Sequence, residues 1–210
     1  MEKPITIVGC GPGAPDMITL AAKNAIEGAR YLIGSKRLLE VFGTGSAEHV
    51  NVGADTNLAV LEIEKRFDSG SVAVLVSGDP GMFSLAQKVI EKFGHDNCEI
   101  VPGVSSIQAA FAAIATSWAG ARIISAHKQD PEGDLGEYAK EDKVAILGGR
   151  DESIKWVRKL LGCMNGNRRI YVLENLTLPE ESVTEITEDG LNEYKSASLS
   201  IFIVIKEIHK

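Results

Sequence analysis

Cysteine is scarce in this 210-residue chain: Cys10, Cys98 and Cys163 are odd in number, widely spaced and form no C-x-x-C pair. That pattern gives neither a disulfide framework nor a zinc knuckle, and a reduced, cytoplasmic setting is the expectation. Positive charge is also short. Lysine and arginine total 22 against 29 aspartates and glutamates, a net charge of −7, which argues against a general nucleic-acid partner. A local basic cluster within an acidic surface still leaves room for a small anionic substrate. Long hydrophobic runs are missing too. Ala109 to Ala115 is the most apolar stretch and falls far short of the roughly 20 residues that span a bilayer. Glu2 and Lys3 lead into a strand without an apolar signal core, so no membrane partner is expected. Of the four histidines, His49, His95 and His209 show no ligand spacing, and no metal site is expected. No nucleophile triad, internal repeat or low-complexity tract stands out.

Glycine, by contrast, is plentiful at 21 residues, and its placement is informative. Three glycine-rich turns each follow an apolar, strand-like run. Ile5 to Val8 enters Gly9-Cys10-Gly11-Pro12-Gly13, Val72 to Val76 enters Ser77-Gly78-Asp79-Pro80-Gly81, and Glu99 to Val101 enters Pro102-Gly103-Val104-Ser105-Ser106. In an open α/β sheet, ligands bind outside the carboxyl ends of strands. Glycine there lets main-chain atoms approach a ligand with no side chain in the way. Three such turns in one half of the chain suggest one shared pocket.

The rest of the pattern divides the chain into two domains, 1–115 and 116–210, joined near Thr116 to Gly120. The first alternates strands with helices: Asp16 to Arg30 with Ile18, Ala22, Ala25 and Ile26 inward, strand Tyr31 to Ile33, and Asn57 to Phe67 with Asn57 as N-cap and Leu58, Leu61 and Phe67 as anchors. Phe83 to Phe93 with Leu85, Val89 and Phe93, and a helix after Ser105 or Ser106 with Ile107, Phe111 and Ile114, complete it. The second offers strands at Arg122 to Ala126, Lys143 to Leu147, Arg169 to Leu173 and Leu199 to Ile205, a helix over Glu152 to Leu161, and a hairpin within Pro179 to Glu188. The fold class is therefore α/β: a parallel α/β domain followed by a mixed α+β one.

Gly9, Gly11 and Ala14 formally satisfy the G-x-G-x-x-G/A dinucleotide fingerprint. Pro12 and Pro15 argue against it, since each lacks an N–H that a pyrophosphate would need. No acid follows the second strand to hold an NAD ribose, although Arg37 suits an NADP 2′-phosphate. Asp79 is either a helix cap or a pocket carboxylate beside a cationic cofactor. The third turn is open to a plain capping role as well.

Taken together, Gly9-x-Gly11-Pro12-Gly13, Ser77-Gly78-Asp79-Pro80 and Pro102-Gly103-Val104-Ser105-Ser106 resemble the tetrapyrrole (corrin/porphyrin) methylase family. Ile33-Gly34-Ser35-Lys36-Arg37-Leu38-Leu39 and Glu174-Asn175-Leu176-Thr177-Leu178-Pro179-Glu180-Glu181 are similar to segments of its branch that methylates a corrin precursor at C-5. The similarity runs from Ile5 to Ile205. There are departures: Ser125-Ala126-His127-Lys128-Gln129 stands where that branch often has Ser-x-His-Gly-Arg, and Thr177 stands where glycine is usual.

The resemblance implies a two-domain fold that holds S-adenosyl-L-methionine in a cleft between the domains and transfers its methyl to a carbon of a tetrapyrrole. Carried over by position, it implies cofactor contacts from Pro12, Gly78, Asp79, Met82, Ser105 and Ser106, and from Leu147 and Leu176 in the second domain. It implies a homodimer as well. Asp79 and His127 are the candidate general bases. Lys36 and Arg37 are candidates for the substrate's acetate and propionate arms, arginine's planar fork suiting a carboxylate. Two other readings stand beside this one. The same fold also serves a modified protein histidine or RNA, against which the lack of a basic stripe counts, and a non-catalytic nucleotide or tetrapyrrole sensor.

Overall fold

β-Branched and aliphatic residues fill the central strands of two five-stranded sheets, and helices cover the apolar faces this creates. The computed structural model describes residues 4–43, 45–195 and 198–207; His209 lies outside them. The chain divides into two compact units, 1–106 and 107–210.

In the first unit, strands β1 (Ile5–Gly9), β2 (Tyr31–Gly34), β3 (Glu48–Asn51), β4 (Val72–Val76) and β5 (Cys98–Val101) lie in the order β3-β2-β4-β1-β5. All four pairings are parallel, with Ile5 opposite both Val72 and Cys98. Helices α1 (Leu20–Glu27) and α2 (Lys36–Phe42) follow β1 and β2; α3 (Thr56–Glu64) and α4 (Ala86–Phe93) follow β3 and β4. Successive side chains of a strand point to opposite faces. Val8, Leu32, Ala73 and Leu75 therefore pack with Ala22, Ile26, Leu38 and Phe42 on one face. Ile5, Ile7, Ile33, Val72 and Val74 pack with Ala59, Ile63, Ala86 and Val89 on the other. Each fully buried Ile, Leu or Val in these layers contributes about 1.5–3 kcal/mol relative to exposure.

Local signals move several expected boundaries. A 3₁₀ turn at Pro15–Met17 precedes α1, which starts only at Leu20 because the Thr19 hydroxyl accepts the Ala22 N–H at 3.1 Å. Helix α3 is capped by Asp55, not Asn57: its Oδ1 accepts from the Asn57 and Leu58 amides at 2.8 and 3.0 Å. Its buried face is Ala59 and Ile63, while Leu58 and Leu61 are exposed. The i, i+4 pair Ala59 and Ile63 faces the sheet, so Leu58 and Leu61 were the wrong anchors. Helix α2 and strand β3 were not foreseen; β3 reads Glu-His-Val-Asn and is an exposed edge.

The second unit contains helix α5 (Ser106–Ala113), whose first residue lies at the division, and strands β6 (Arg122–Ser125), β7 (Lys143–Leu147), β8 (Arg168–Glu174), β9 (Ser182–Ile186) and β10 (Ser200–Lys206) in the order β6-β7-β10-β8-β9. Only β6 and β7 pair parallel; the other pairings are antiparallel, and the stretch Pro179 to Glu188 holds the single strand β9, which pairs back on β8, rather than a hairpin of its own. Helices α6 (Leu135–Ala139) and α7 (Asp151–Cys163) cover one face, where Ile154, Trp156, Val157 and Leu160 meet Ile124, Ile146, Val172 and Phe202. The short α8 (Gly190–Glu193) adds Leu191 to that core. The result is the expected α/β fold with a mixed second sheet.

Candidate functional site

Because β4, β1 and β5 run parallel and adjacent, the three glycine turns that follow them emerge at one edge of the first sheet. β1 sends its connection toward β2 through α1 on one face, and β4 sends its own toward β5 through α4 on the other. Their carboxyl ends therefore form the switch point at which open α/β sheets bind ligands.

The turns interlock through main-chain atoms. Gly11 donates to the Gly78 carbonyl at 3.2 Å and Gly78 to the Gly11 carbonyl at 2.7 Å, an isolated antiparallel bridge between the first two turns. Both glycines have left-handed backbones, φ +74° and +70°, which a Cβ disfavours. A Cβ on Gly103 would lie 2.4 Å from the Gly78 carbonyl oxygen and 2.7 Å from that of Gly9. One on Gly9 would lie 2.6 Å from the Gly103 nitrogen. Neighbouring backbone requires glycine at Gly9 and Gly103, and their own left-handed φ favours it at Gly11 and Gly78.

Asp79 fastens the assembly. Its Oδ1 accepts the Gly81 amide at 2.8 Å within its own turn, and its Oδ2 accepts the Gly103 amide at 3.2 Å in the third. Both oxygens thus serve the scaffold, and charge-assisted bonds of this kind are the stronger class. Pro12, Gly78 and Ser105 are buried, and Met82 and Ser106 are half-buried, on the same three turns.

Lys36 and Arg37 open α2, at the carboxyl end of the adjacent parallel strand β2. Arg37 Nη2 donates to the Ser77 hydroxyl at 3.0 Å, which ties β2 to the second turn. Its Nη1 is buried and has no hydrogen-bond partner among the described residues. Lys36 is exposed and pairs with Glu40 at 3.7 Å. Cys10 sits in the first turn; burial pushes its thiol up to about 12, against the opposing influence of the Arg37 charge.

In the second unit, β6, β7 and β8 point the same way, since two antiparallel pairings separate β7 from β8. His127, Leu147 and Leu176 therefore fall at one edge of that sheet. His127 Nδ1 lies 2.7 Å from the Gly148 carbonyl oxygen. A carbonyl only accepts, so Nδ1 donates to it, which in the neutral imidazole leaves the lone pair on Nε2. The turn bearing His127 is held further down the chain: Arg150 Nε and Ser153 Oγ both donate to the Ala126 carbonyl, at 2.8 and 2.9 Å. Leu147 is half-buried at the end of β7, and Leu176 is buried in the loop after β8. That loop holds Asn175 and Thr177 at φ +49° and +67°, costly for a β-branched residue. Glu181 accepts the Thr177 amide at 2.5 Å, and Asn175 donates its amide to the Leu199 carbonyl at 2.9 Å.

Sequence reasoning missed Ser77 as the partner of Arg37, and Arg150 and Ser153 as supports of the His127 turn. Nothing local marks them, because each acts across 20 or more positions of sequence. Among the described residues no helix is long and apolar enough to cross a membrane, and no group of three or more His, Cys, Asp or Glu is placed to hold a metal ion.

Comparison with known proteins agrees with this geometry. The family described as Tetrapyrrole (Corrin/Porphyrin) Methylases matches residues 4–192. The chain is 29% identical over 189 residues to the cobalt-precorrin-7 C(5)-methyltransferase of Salmonella typhimurium, covering 90% of this chain and 92% of the relative. It is 33% identical over 188 residues to a probable cobalt-precorrin-7 C(5)-methyltransferase of Methanocaldococcus jannaschii, covering 86% and 87%. Among solved structures it superposes on a precorrin-6Y methylase from Archaeoglobus fulgidus with a TM-score of 0.76 at 26% identity, covering 99% of this chain and all of that one. Switch-point position, interlocked glycine turns and near full-length matches agree: this chain belongs to the tetrapyrrole methylase family.

Proposed function

We propose that this chain is an S-adenosyl-L-methionine-dependent C-methyltransferase acting on a corrin precursor in cobalamin biosynthesis, at C-5 of cobalt-precorrin-7. The observation that carries the cofactor assignment is the backbone lock among Gly9, Gly11, Gly78 and Gly103 at the switch point. The residues present fit such a group. A Cβ on Gly78 would meet only the Ser105 Cα and Ser106 nitrogen, both at 3.7 Å, so its absence leaves open volume before the third turn. Pro12, Gly78, Asp79, Met82, Ser105 and Ser106 would hold the cofactor there; Leu147 and Leu176 are proposed on the family resemblance alone. The C-5 assignment is supported by the two relatives that carry that activity in their names.

When bound, S-adenosyl-L-methionine supplies an electrophilic methyl group on a sulfonium. The chain's own task is alignment and shielding. Reacting atoms must be held about 3–3.5 Å apart and collinear, in a site from which water is excluded. Main-chain walls suit this, since they have no side-chain rotamers to fix. The substrate carbon is electron-rich, so no Ser, Cys or Lys nucleophile is required. Of the two candidate bases, Asp79 has both oxygens committed to amides, whereas His127 Nε2 offers its lone pair. His127 is therefore assigned the proton released from the methylated carbon. Lys36 and Arg37 are assigned to the substrate's carboxylate arms. On family grounds the reading extends to a cytoplasmic homodimer, which light scattering coupled to size exclusion checks.

Isothermal calorimetry tests the cofactor assignment. S-adenosylhomocysteine is expected to bind stoichiometrically and NADPH not at all; the reverse pattern overturns the reading. Charge reversal at Arg37 is expected to raise KM for the corrin with little change in S-adenosylhomocysteine affinity. An unchanged KM removes Arg37 from the substrate site.

A further inference from the structure

We propose that Phe83 is the platform on which the flat face of the corrin substrate rests, an assignment that builds on the function proposed above. Large aromatic side chains are normally buried. Phe42, Phe111 and Phe202 are buried, and Phe67 and Phe93 pack against the core. Phe83 instead leaves 62% of its surface in solvent. Its backbone is also strained, at φ +48°, a left-handed conformation that is an outlier for a bulky side chain.

The strain is not that of a loose loop. The Met82 amide donates to the Asp79 carbonyl at 3.1 Å, Ser84 Oγ to the Pro80 carbonyl at 2.5 Å, and the Ala86 amide to Ser84 Oγ at 3.0 Å. With the Asp79–Gly81 bond, these fix the backbone on both sides of Phe83. None of them uses the ring, and glycine would occupy the same conformation at less cost. Neither burial nor backbone geometry accounts for phenylalanine here, and strained residues of this kind cluster at ligand sites.

Position and charge identify the occupant. Phe83 is six residues beyond Ser77 on the loop that follows β4, and Ser77 anchors the Arg37 guanidinium, whose Nη1 is buried without a partner among the described residues. An apolar ring on this loop and a cation of α2 hydrogen-bonded to the same loop suit a ligand that is flat and apolar at its centre and carries carboxylates at its rim. A corrin precursor with acetate and propionate arms has that form.

The test is a titration of S-adenosylhomocysteine-saturated protein with cobyrinic acid, a corrin whose arms are free carboxylates, followed by corrin absorbance. Phe83→Ala and Phe83→Gly are expected to weaken corrin binding about tenfold or more, the scale on which an aromatic platform contributes. Phe83→Tyr, which keeps the ring, is expected to stay within about twofold of the parent. S-adenosylhomocysteine affinity is expected to be unchanged in all three, and Phe83→Gly is expected to melt no lower than the parent because it releases the strained φ. Corrin binding by Phe83→Gly equal to the parent overturns the proposal. So does a parallel loss of S-adenosylhomocysteine affinity, which would seat the ring against the cofactor, or a changed oligomeric state, which would seat it against a second copy. Parent protein that binds S-adenosylhomocysteine but no corrin overturns the platform as well. Parent protein that fails to bind S-adenosylhomocysteine contradicts the proposed function instead.

Discussion

Gly103→Ala probes the backbone lock at its tightest point. The added Cβ would lie 2.4 Å from the Gly78 carbonyl oxygen, 2.7 Å from the Gly9 oxygen and 2.8 Å from the Gly9 carbonyl carbon. Ordinary contact begins at 3.4 Å, so the third turn must move away from the second by 1.0 Å (3.4 − 2.4). All three neighbours are backbone and none can swing aside. Overpacking of this kind costs about 1–3 kcal/mol. For a chain of this length each kcal/mol lowers Tm by about 2–4 °C, so a fall of about 2–12 °C is expected in a thermal melt. The same displacement strains the Asp79 to Gly103 bond. A shift near 1 Å in a positioning element costs about 100-fold in rate, and S-adenosylhomocysteine affinity measured by calorimetry is expected to fall with it. Gly162→Ala is the control: its Cβ meets nothing within 4 Å in α7, so stability is expected to hold or rise slightly. A Gly103→Ala protein that melts and binds like the parent refutes the lock.

Asp79→Ala is expected to cost about 1–3 kcal/mol in urea unfolding, because two amides lose a charged acceptor, with Asp79→Asn intermediate; equal stabilities would show that the carboxylate does not fasten the turns. Replacing His127 with alanine is expected to lower kcat about 100- to 10,000-fold while leaving S-adenosylhomocysteine affinity unchanged, and an unaltered kcat removes it as the base. Thr177→Gly is expected to gain about 1 kcal/mol by releasing a left-handed backbone, read as a rise in Tm; a fall would mean that the hydroxyl or methyl contributes more than the strain costs. Burial raises the Cys10 thiol from 9.0 to about 12, so the folded state keeps a proton that the unfolded chain releases. Stability linked to this group is intact below pH 9 and is lost as pH climbs toward 12. Cys10→Ala is expected to flatten that part of the alkaline unfolding curve, and an unchanged slope would contradict it.

The strands and the parallel first sheet were legible because runs such as Val72 to Val76 are apolar on both faces, as buried parallel strands must be. The three turns were legible because glycine and proline mark them whatever surrounds them. What escaped was set by tertiary contact. Edge strand β3 carries Glu48, His49 and Asn51 and has no apolar period to find. Helix α3 buries Ala59 and Ile63 rather than Leu58 and Leu61. Asp79 was open to a capping or a pocket role, and its oxygens join two turns whose proximity only the strand order reveals. His127 was visible as a residue, but its tautomer depends on Gly148, 21 positions away. The exposed Phe83 was read as the start of a helix, since its strained φ leaves no mark in the sequence.

The central claim is methyl transfer to C-5 of a corrin precursor. Incubation of the protein with methyl-¹³C-labelled S-adenosyl-L-methionine and cobalt-precorrin-7, followed by mass and NMR assignment of the product, tests it most directly. One new labelled methyl on C-5 is the predicted result. A labelled methyl on another ring carbon, or a corrin recovered without label, would contradict it.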